Sequence, residues 1–170
     1  NRLIAEGDVD RVLIVDCDVH QGDGTASLTA GRDDIFTLSI HAEKNFPVRK
    51  ARSTLDIGLP DGTRDDDYLA ALDTHLPRLL ESFAPDIVLY QAGVDPHERD
   101  KLGRLSLSDE GLERRESYVV ETVRHHGLPV ASALGGGYGE DQREVAARHA
   151  RSMLAMARAN ARVELKRETA

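Results

Sequence analysis

The stretch Val12-Leu13-Ile14-Val15-Asp16-Cys17-Asp18-Val19-His20-Gln21-Gly22-Asp23-Gly24 decides how this chain is read. Four branched apolar residues in a row, with no polar alternation, are what a strand needs when helices cover both faces of its sheet. A polar run follows at once, and in open parallel α/β sheets the crevice outside the carboxyl ends of the strands is where ligands bind. Working outward, runs of the same kind occupy residues 35–40, 87–92 and 130–134, so four buried parallel strands are expected. Helical patterns separate them. Tyr68, Leu69, Leu72, Leu76, Leu79, Leu80 and Phe83 recur at steps of three and four behind Asp65-Asp66-Asp67, an acidic first turn that suits the helix dipole, and Pro77 should kink this helix. A second helix should start at the cap Ser108, run through Leu112, Tyr118, Val119 and Val123, and stop at Gly127. A third should span 141–159 with Val145, Met153, Leu154 and Met156 on its apolar side. The alternation predicts a three-layer α/β domain, a mostly parallel sheet with helices on both faces, over residues 1–159, followed by a frayed polar tail at 160–170. The opening residues 1–7 read as the last turn of a helix. Residues 41–63 have no clear period, and their Phe46-Pro47, Leu59-Pro60 and Asp61-Gly62 pairs suggest an ordered functional loop.

Composition narrows the function. The 170 residues carry 30 acidic against 22 basic side chains, a formal charge of −8. Such acidity argues against a nucleic-acid groove or an anionic membrane surface as partner, because phosphate binding rests on clustered Lys and Arg. No apolar run approaches the ~18 residues of a membrane span. Cys17 is the single cysteine, which excludes a disulfide framework and suits a reducing cytoplasm.

Polar residues gather where the expected strands end. Alternate residues of an extended chain point the same way, so Asp18 and His20 form a two-ligand arm. Gln91-Ala92-Gly93-Val94-Asp95 supplies a second carboxylate from a neighbouring strand end. An O, N, O set of Asp18, His20 and Asp95 suits Zn²⁺ or Fe²⁺ with a position left open, and its charge offsets that of a divalent ion. The fourth run ends in Leu134-Gly135-Gly136-Gly137-Tyr138. Gly136 and Gly137 let the backbone approach a substrate, and the Tyr138 hydroxyl is placed to stabilise an oxyanion. Two other chemistries fit less well. A haloacid-dehalogenase-like phosphatase built on Asp16-Cys17-Asp18 wants Thr or Val where His20 stands, and an EF-hand loop from Asp16 would need Gly at its sixth position, which is Gln21.

These segments, with Ser39-Ile40-His41, Asp100 and Leu102-Gly103, occur in the order seen in the histone deacetylase superfamily, which the chain resembles over roughly residues 9–158. Asn45-Phe46-Pro47 and Leu59-Pro60-Asp61-Gly62-Thr63 look most like its bacterial class IV-like branch. The resemblance implies an arginase/deacetylase-like fold and zinc-dependent removal of acyl groups from lysine or polyamine amides. It further implies that Asp18, His20 and Asp95 are the zinc ligands and that Tyr138 polarises the acyl carbonyl. By the same resemblance Asp16 and Asp23 orient a catalytic histidine pair. Backbone carbonyls of Asp16, Asp18, His20 and Ile40, with the Ser39 hydroxyl, would form a site for K⁺ or Na⁺. The family places its histidine pair upstream of the first zinc-binding strand. The one adjacent pair here, His125-His126, sits at an expected helix end away from the site. The expectation is therefore a carboxyl-terminal portion of a deacetylase, inactive on its own, with an exposed sheet edge and poor solubility or an oligomeric state. A non-catalytic, metal- or cation-binding regulatory chain is the alternative.

Overall fold

The computed structural model describes residues 2–169. In chain order the elements are α1 (Arg2–Glu6), β1 (Val12–Asp16), α2 (Asp23–Leu28), β2 (Ile35–Ala42), β3 (Leu55–Leu59), α3 (Asp65–Phe83), β4 (Ile87–Ala92), α4 (Asp109–His125), β5 (Val130–Leu134) and α5 (Gln142–Glu168). The strands form one parallel sheet in the order β3-β2-β1-β4-β5, so β1, the stretch quoted first, is the central strand. Strand order reverses at β1, and the crevice such a reversal opens lies between the exits of β1 and its neighbours.

Register partners in a parallel sheet share a face, and this sorts the side chains. Leu13, Val15, Leu38, Val88 and Tyr90 point to one side and are buried under α3 and α4. Phe36, also on this side, meets Phe83 of α3 with ring centroids 5.4 Å apart. Asp16 and Ser39 are partners on the other side, where Gly22, at the N-terminus of α2, donates to Ser39 Oγ at 3.4 Å. Helices therefore lie on both faces of the sheet. Burying a Leu or Val side chain contributes about 1.5–3 kcal/mol, so the α3/α4 face, which holds most of the core, is the main source of stability. Ser108 caps α4 by accepting from Gly111 N at 2.9 Å, and Gly127 ends the turn beyond it with φ +81°.

Four local expectations need correction. Leu55–Leu59 is an edge strand inside the segment expected to have no period; it alternates half-exposed residues instead of forming a continuous apolar run. Asp23–Leu28, which begins inside the polar run after β1, is a short helix with Ala26 as its one buried residue, too few to give a period. Val130–Leu134 pairs with β4 alone and is largely exposed, because the sheet ends there. Finally, residues 160–168 are not a frayed tail: α5 continues to Glu168, since Ala159 and Val163, four apart, both bury against its neighbours. Arg162 and Glu121 further tie this end to α4 at 2.7 Å.

Candidate metal centre and its surroundings

The exits of β1 and β4 carry the three expected donors, and the fold brings them together. Ligand atoms of Asp18, His20 and Asp95 all lie within 4.8 Å of one another. His20 Nδ1 is 3.0 Å from Asp18 Oδ1 and 3.2 Å from Asp95 Oδ2. Backbone donors hold the carboxylates: Asp95 Oδ1 accepts from Val19 N at 2.8 Å, and Asp18 Oδ2 accepts from Gly136 N at 2.9 Å. Asp95 is fully buried, and its Oδ2, 3.2 Å from the His20 ring, has no well-aligned donor. A buried, orphaned carboxylate oxygen aimed into an O, N, O set is what a divalent cation would satisfy. The residues fit such an ion.

Electrostatics agree with that reading. Hydrogen bonding of the ring to the carboxylate of Asp18, and then its approach to that of Asp95, pushes the imidazole of His20 up to about 10. Burial, reinforced by the neighbouring charge of Asp18, raises Asp95 to about 6. Burial opposes ionisation of Asp18 as well, but bonds from the His20 ring and from the N–H groups of His20 and Gly136 outweigh it and hold this carboxylate below its ordinary range. Asp16 lies beneath, raised to about 7 chiefly by burial.

The glycines are there for space. A Cβ on Gly136 would stand 1.8 Å from Asp95 Oδ2, and one on Gly93 would stand 2.6 Å from Asp18 Oδ2. Gly137 is also closely packed, a Cβ there standing 2.8 Å from Val94 and 2.9 Å from Val145. Tyr138 is 47% exposed and lines a cavity of about 540 Å³ together with His20, Lys44, Asn45, Phe46, Leu102 and Arg104. Its backbone is fixed on both sides, by Tyr138 N donating to Asp100 Oδ2 at 2.7 Å and by Lys101 N donating to Tyr138 O at 2.8 Å.

Of the remaining expected residues, Asp16 and Ser39 are register partners where β1 and β2 run side by side. Asp16 Oδ1 accepts from Asp18 N at 3.1 Å. Ser39 and Ile40 are buried on β2, and Ser39 Oγ pairs with His41 Nδ1 at 3.0 Å. Asp23 opens α2. His125 and His126 lie at the C-terminus of α4, just before β5 begins, and so at the opposite end of the sheet from the donors. Among the described residues lining the cavity, His20 is the sole histidine.

Several supports were not anticipated. Asn45 clamps the two loops that flank the cavity, its Nδ2 donating to Leu102 O at 2.7 Å and its Oδ1 accepting from Arg104 N at 2.9 Å. Gln21 does the same for the loop before β3, bonding Ala51 and Asp56. Asp100 Oδ1 accepts from Leu102 N and Gly103 N, both at 2.8 Å, while its other oxygen holds Tyr138. Arg115 and Glu116 are fully buried beneath the strand ends. Their signal is visible in the sequence: they fall three and four residues after Leu112, inside the apolar stripe of α4, where a charged pair must be satisfied internally.

Comparison with known proteins adds the lineage. A profile of the histone deacetylase domain matches residues 1–155. An uncharacterized protein of Picosynechococcus sp. is 50% identical over 139 residues, 82% of this chain and 46% of that protein. Histone deacetylase 2 of Arabidopsis thaliana is 32% identical over 133 residues, 76% of this chain and 34% of that protein. The crystal structure of a histone deacetylase homologue complexed with SAHA superposes with a TM-score of 0.75 at 29% identity, covering 88% of this chain and 42% of that one. The chain thus spans less than half the length of these relatives.

Proposed function

The chain belongs to the histone deacetylase family, and from that premise we propose that it carries the metal-holding and oxyanion-stabilising part of an amidohydrolase site that removes acyl groups from lysine or polyamine amides. The observation carrying this reading is the convergence of Asp18, His20 and Asp95 within 4.8 Å beside the cavity lined by Tyr138. In this reading the three residues hold Zn²⁺, with Fe²⁺ as the alternative. Such an ion, when bound, supplies Lewis acidity toward the acyl carbonyl and toward water.

The chain's own residues do the rest. Gly136 and Gly137 are assigned to the backbone that meets the acyl group, and at Gly136 the main chain runs directly beside the donor carboxylates, where a Cβ would collide with them. Tyr138, with its main chain anchored by Asp100, presents its hydroxyl to donate to the oxygen that gains charge when the carbonyl is attacked. Asp16 and Asp23 are assigned to orienting imidazole bases, and a K⁺ or Na⁺ site is assigned to the carbonyls of Asp16, Asp18, His20 and Ile40 with the Ser39 hydroxyl. Among the described residues lining the cavity beside Tyr138, the one imidazole that could take the proton of the attacking water is His20, which the metal would occupy.

The test is a Zn²⁺ titration of the chain, followed by assay of acetate release from acetyl-lysine and acetylpolyamine. Tight, stoichiometric metal binding abolished by Asp95→Asn, with any amide hydrolysis lost on Tyr138→Phe, supports the reading. Binding unaffected by Asp95→Asn overturns it. Metal binding without turnover is the behaviour of the non-catalytic, regulatory alternative.

A further inference from the structure

We propose that Arg115 is a positioning residue for the metal centre, an internal guanidinium that fixes the exits of β1 and β4 to each other so that the three donors stay converged; the proposal rests on the metal reading above. Arg115 sits on α4, fully buried, and touches none of the three donors. Its Nη1 donates to Cys17 O at 2.9 Å and its Nη2 to Gly93 O at 2.8 Å. Cys17 lies between Asp16 and Asp18, and Gly93 lies two residues before Asp95. One planar cation therefore spans the last residues of the two central strands whose exits carry the site.

Gly93 makes the coupling steep. Its carbonyl is held by Arg115, while a Cβ on its other side would stand 2.6 Å from Asp18 Oδ2 and 3.0 Å from Asp95 Oδ1. The backbone at Gly93 is thus wedged between the guanidinium and two ligand carboxylates. Ligand distances are tolerated within about 0.2 Å, so a shift of a few tenths of an ångström at Gly93 passes directly to the donors. Arg115 is itself held on the far side. Glu116 Oε1 accepts from its Nη2 at 2.5 Å, and Glu116 Oε2 accepts from the hydroxyl of Tyr90 on β4. Breaking a buried ion pair by removing one partner is costly, while a hydrophobic replacement of the whole pair often is not. Two carbonyls within reach of one rigid fork explain why an arginine, and not a lysine, would stand here.

The experiment uses the chain loaded with Zn²⁺ or Co²⁺. Affinity is measured by competition with a chelator, and the Co²⁺ visible spectrum reports the geometry of the donors. Arg115→Lys keeps the charge but can reach only one of the two carbonyls. It should fold, bind metal 10- to 100-fold more weakly, and shift the Co²⁺ bands. Val123→Ala, on the same helix and fully buried, serves as a purely structural control: it should lower the melting temperature and leave affinity and spectrum unchanged. Wild-type affinity and spectrum in Arg115→Lys would overturn the proposal, as would an equal loss in Val123→Ala. Absence of metal binding by the wild-type chain would overturn both this proposal and the functional reading; metal binding that is lost in Asp95→Asn but insensitive to Arg115→Lys would overturn this one alone.

Discussion

Replacing Gly136 by alanine should disable the metal centre through a single methyl group. On the observed backbone the new Cβ would lie 1.8 Å from Asp95 Oδ2 and 2.8 Å from Asp18 Oδ2. Ordinary contact needs about 3.4 Å or more, so one group must retreat by roughly 1.5 Å. Asp95 is fully buried and held by Val19 N, so the glycine loop is the part that yields. That movement breaks the bond from Gly136 N to Asp18 Oδ2 (2.9 Å) and the bond from Val94 N to Gly136 O (2.7 Å). The first is to a charged acceptor and the second to a neutral one, which together come to about 3 kcal/mol. For a chain of this length the melting temperature should fall by roughly 6–12 °C. Zn²⁺ affinity, read by chelator competition, should drop by about 100-fold or more. The control is Gly24→Ala in α2, where a Cβ meets nothing within 4 Å. There alanine should stabilise by about 0.5–1 kcal/mol through helix propensity. Wild-type metal affinity in Gly136→Ala would refute the packing argument, since the methyl group is accommodated only by moving a donor carboxylate or the loop whose N–H holds Asp18.

The metal-free protein should show a histidine-linked pH dependence. His20, raised to about 10 by its two carboxylate partners, contributes stability that is fully present below its unfolded value near 6.5 and is lost as pH rises through 10. The melting-temperature gap between wild type and His20→Ala should therefore shrink from pH 7 to pH 10.5; a gap that widens would contradict the ion pair. Asn45→Ala would leave Leu102 O and Arg104 N without partners in a site where Asn45 is only 6% exposed. A loss of about 2–4 kcal/mol in denaturant unfolding is expected, and a loss below 0.5 kcal/mol would mean that water replaces the clamp. The edge strand β5, with Ala131, Ser132, Ala133 and Leu134 exposed, should promote concentration-dependent association, seen by light scattering and reduced by Ala133→Lys. A monodisperse monomer at high concentration for the wild type would remove the need for any such protection.

How much of this was legible in the sequence depended on period and on exposure. The strands at 12–16, 35–42 and 87–92 were readable because unbroken branched runs have few other uses. The acidic start of α3 and the Ser108 cap of α4 were readable because they serve local chemistry. Leu55–Leu59 was missed because a half-exposed edge strand interrupted by Gly58 looks like a loop. The far end of α5 was missed because only Val163 is buried beyond Ala159, so its sequence is nearly all polar. At the site, Asp18, His20 and Asp95 could be grouped from strand ends alone. Nothing local announced that Asn45 would reach Leu102 and Arg104, or that Arg115 would reach Cys17 and Gly93, because those bonds join residues 22 to 98 positions apart.

The charge at these strand ends favours cations there, as the proposed function requires. Arg115 is paired with its neighbour Glu116, and its charge is only the smallest of the influences on Asp16 above it. Asp16, Asp18 and Asp95 then face a single protonated imidazole, an excess of two negative charges in a largely buried cluster. Isolated carboxylates buried in this way cost several kcal/mol each, and the metal-free protein reduces that cost by drawing protons toward Asp16 and Asp95, both raised by burial. A divalent cation in place of the His20 proton would remove one of the two excess charges, and the proposed monovalent cation near Asp16 and Ser39 would remove the other. In the proposed function the two sites would form a single electrostatic unit, in which filling one position would change the proton affinity of Asp16 beside it.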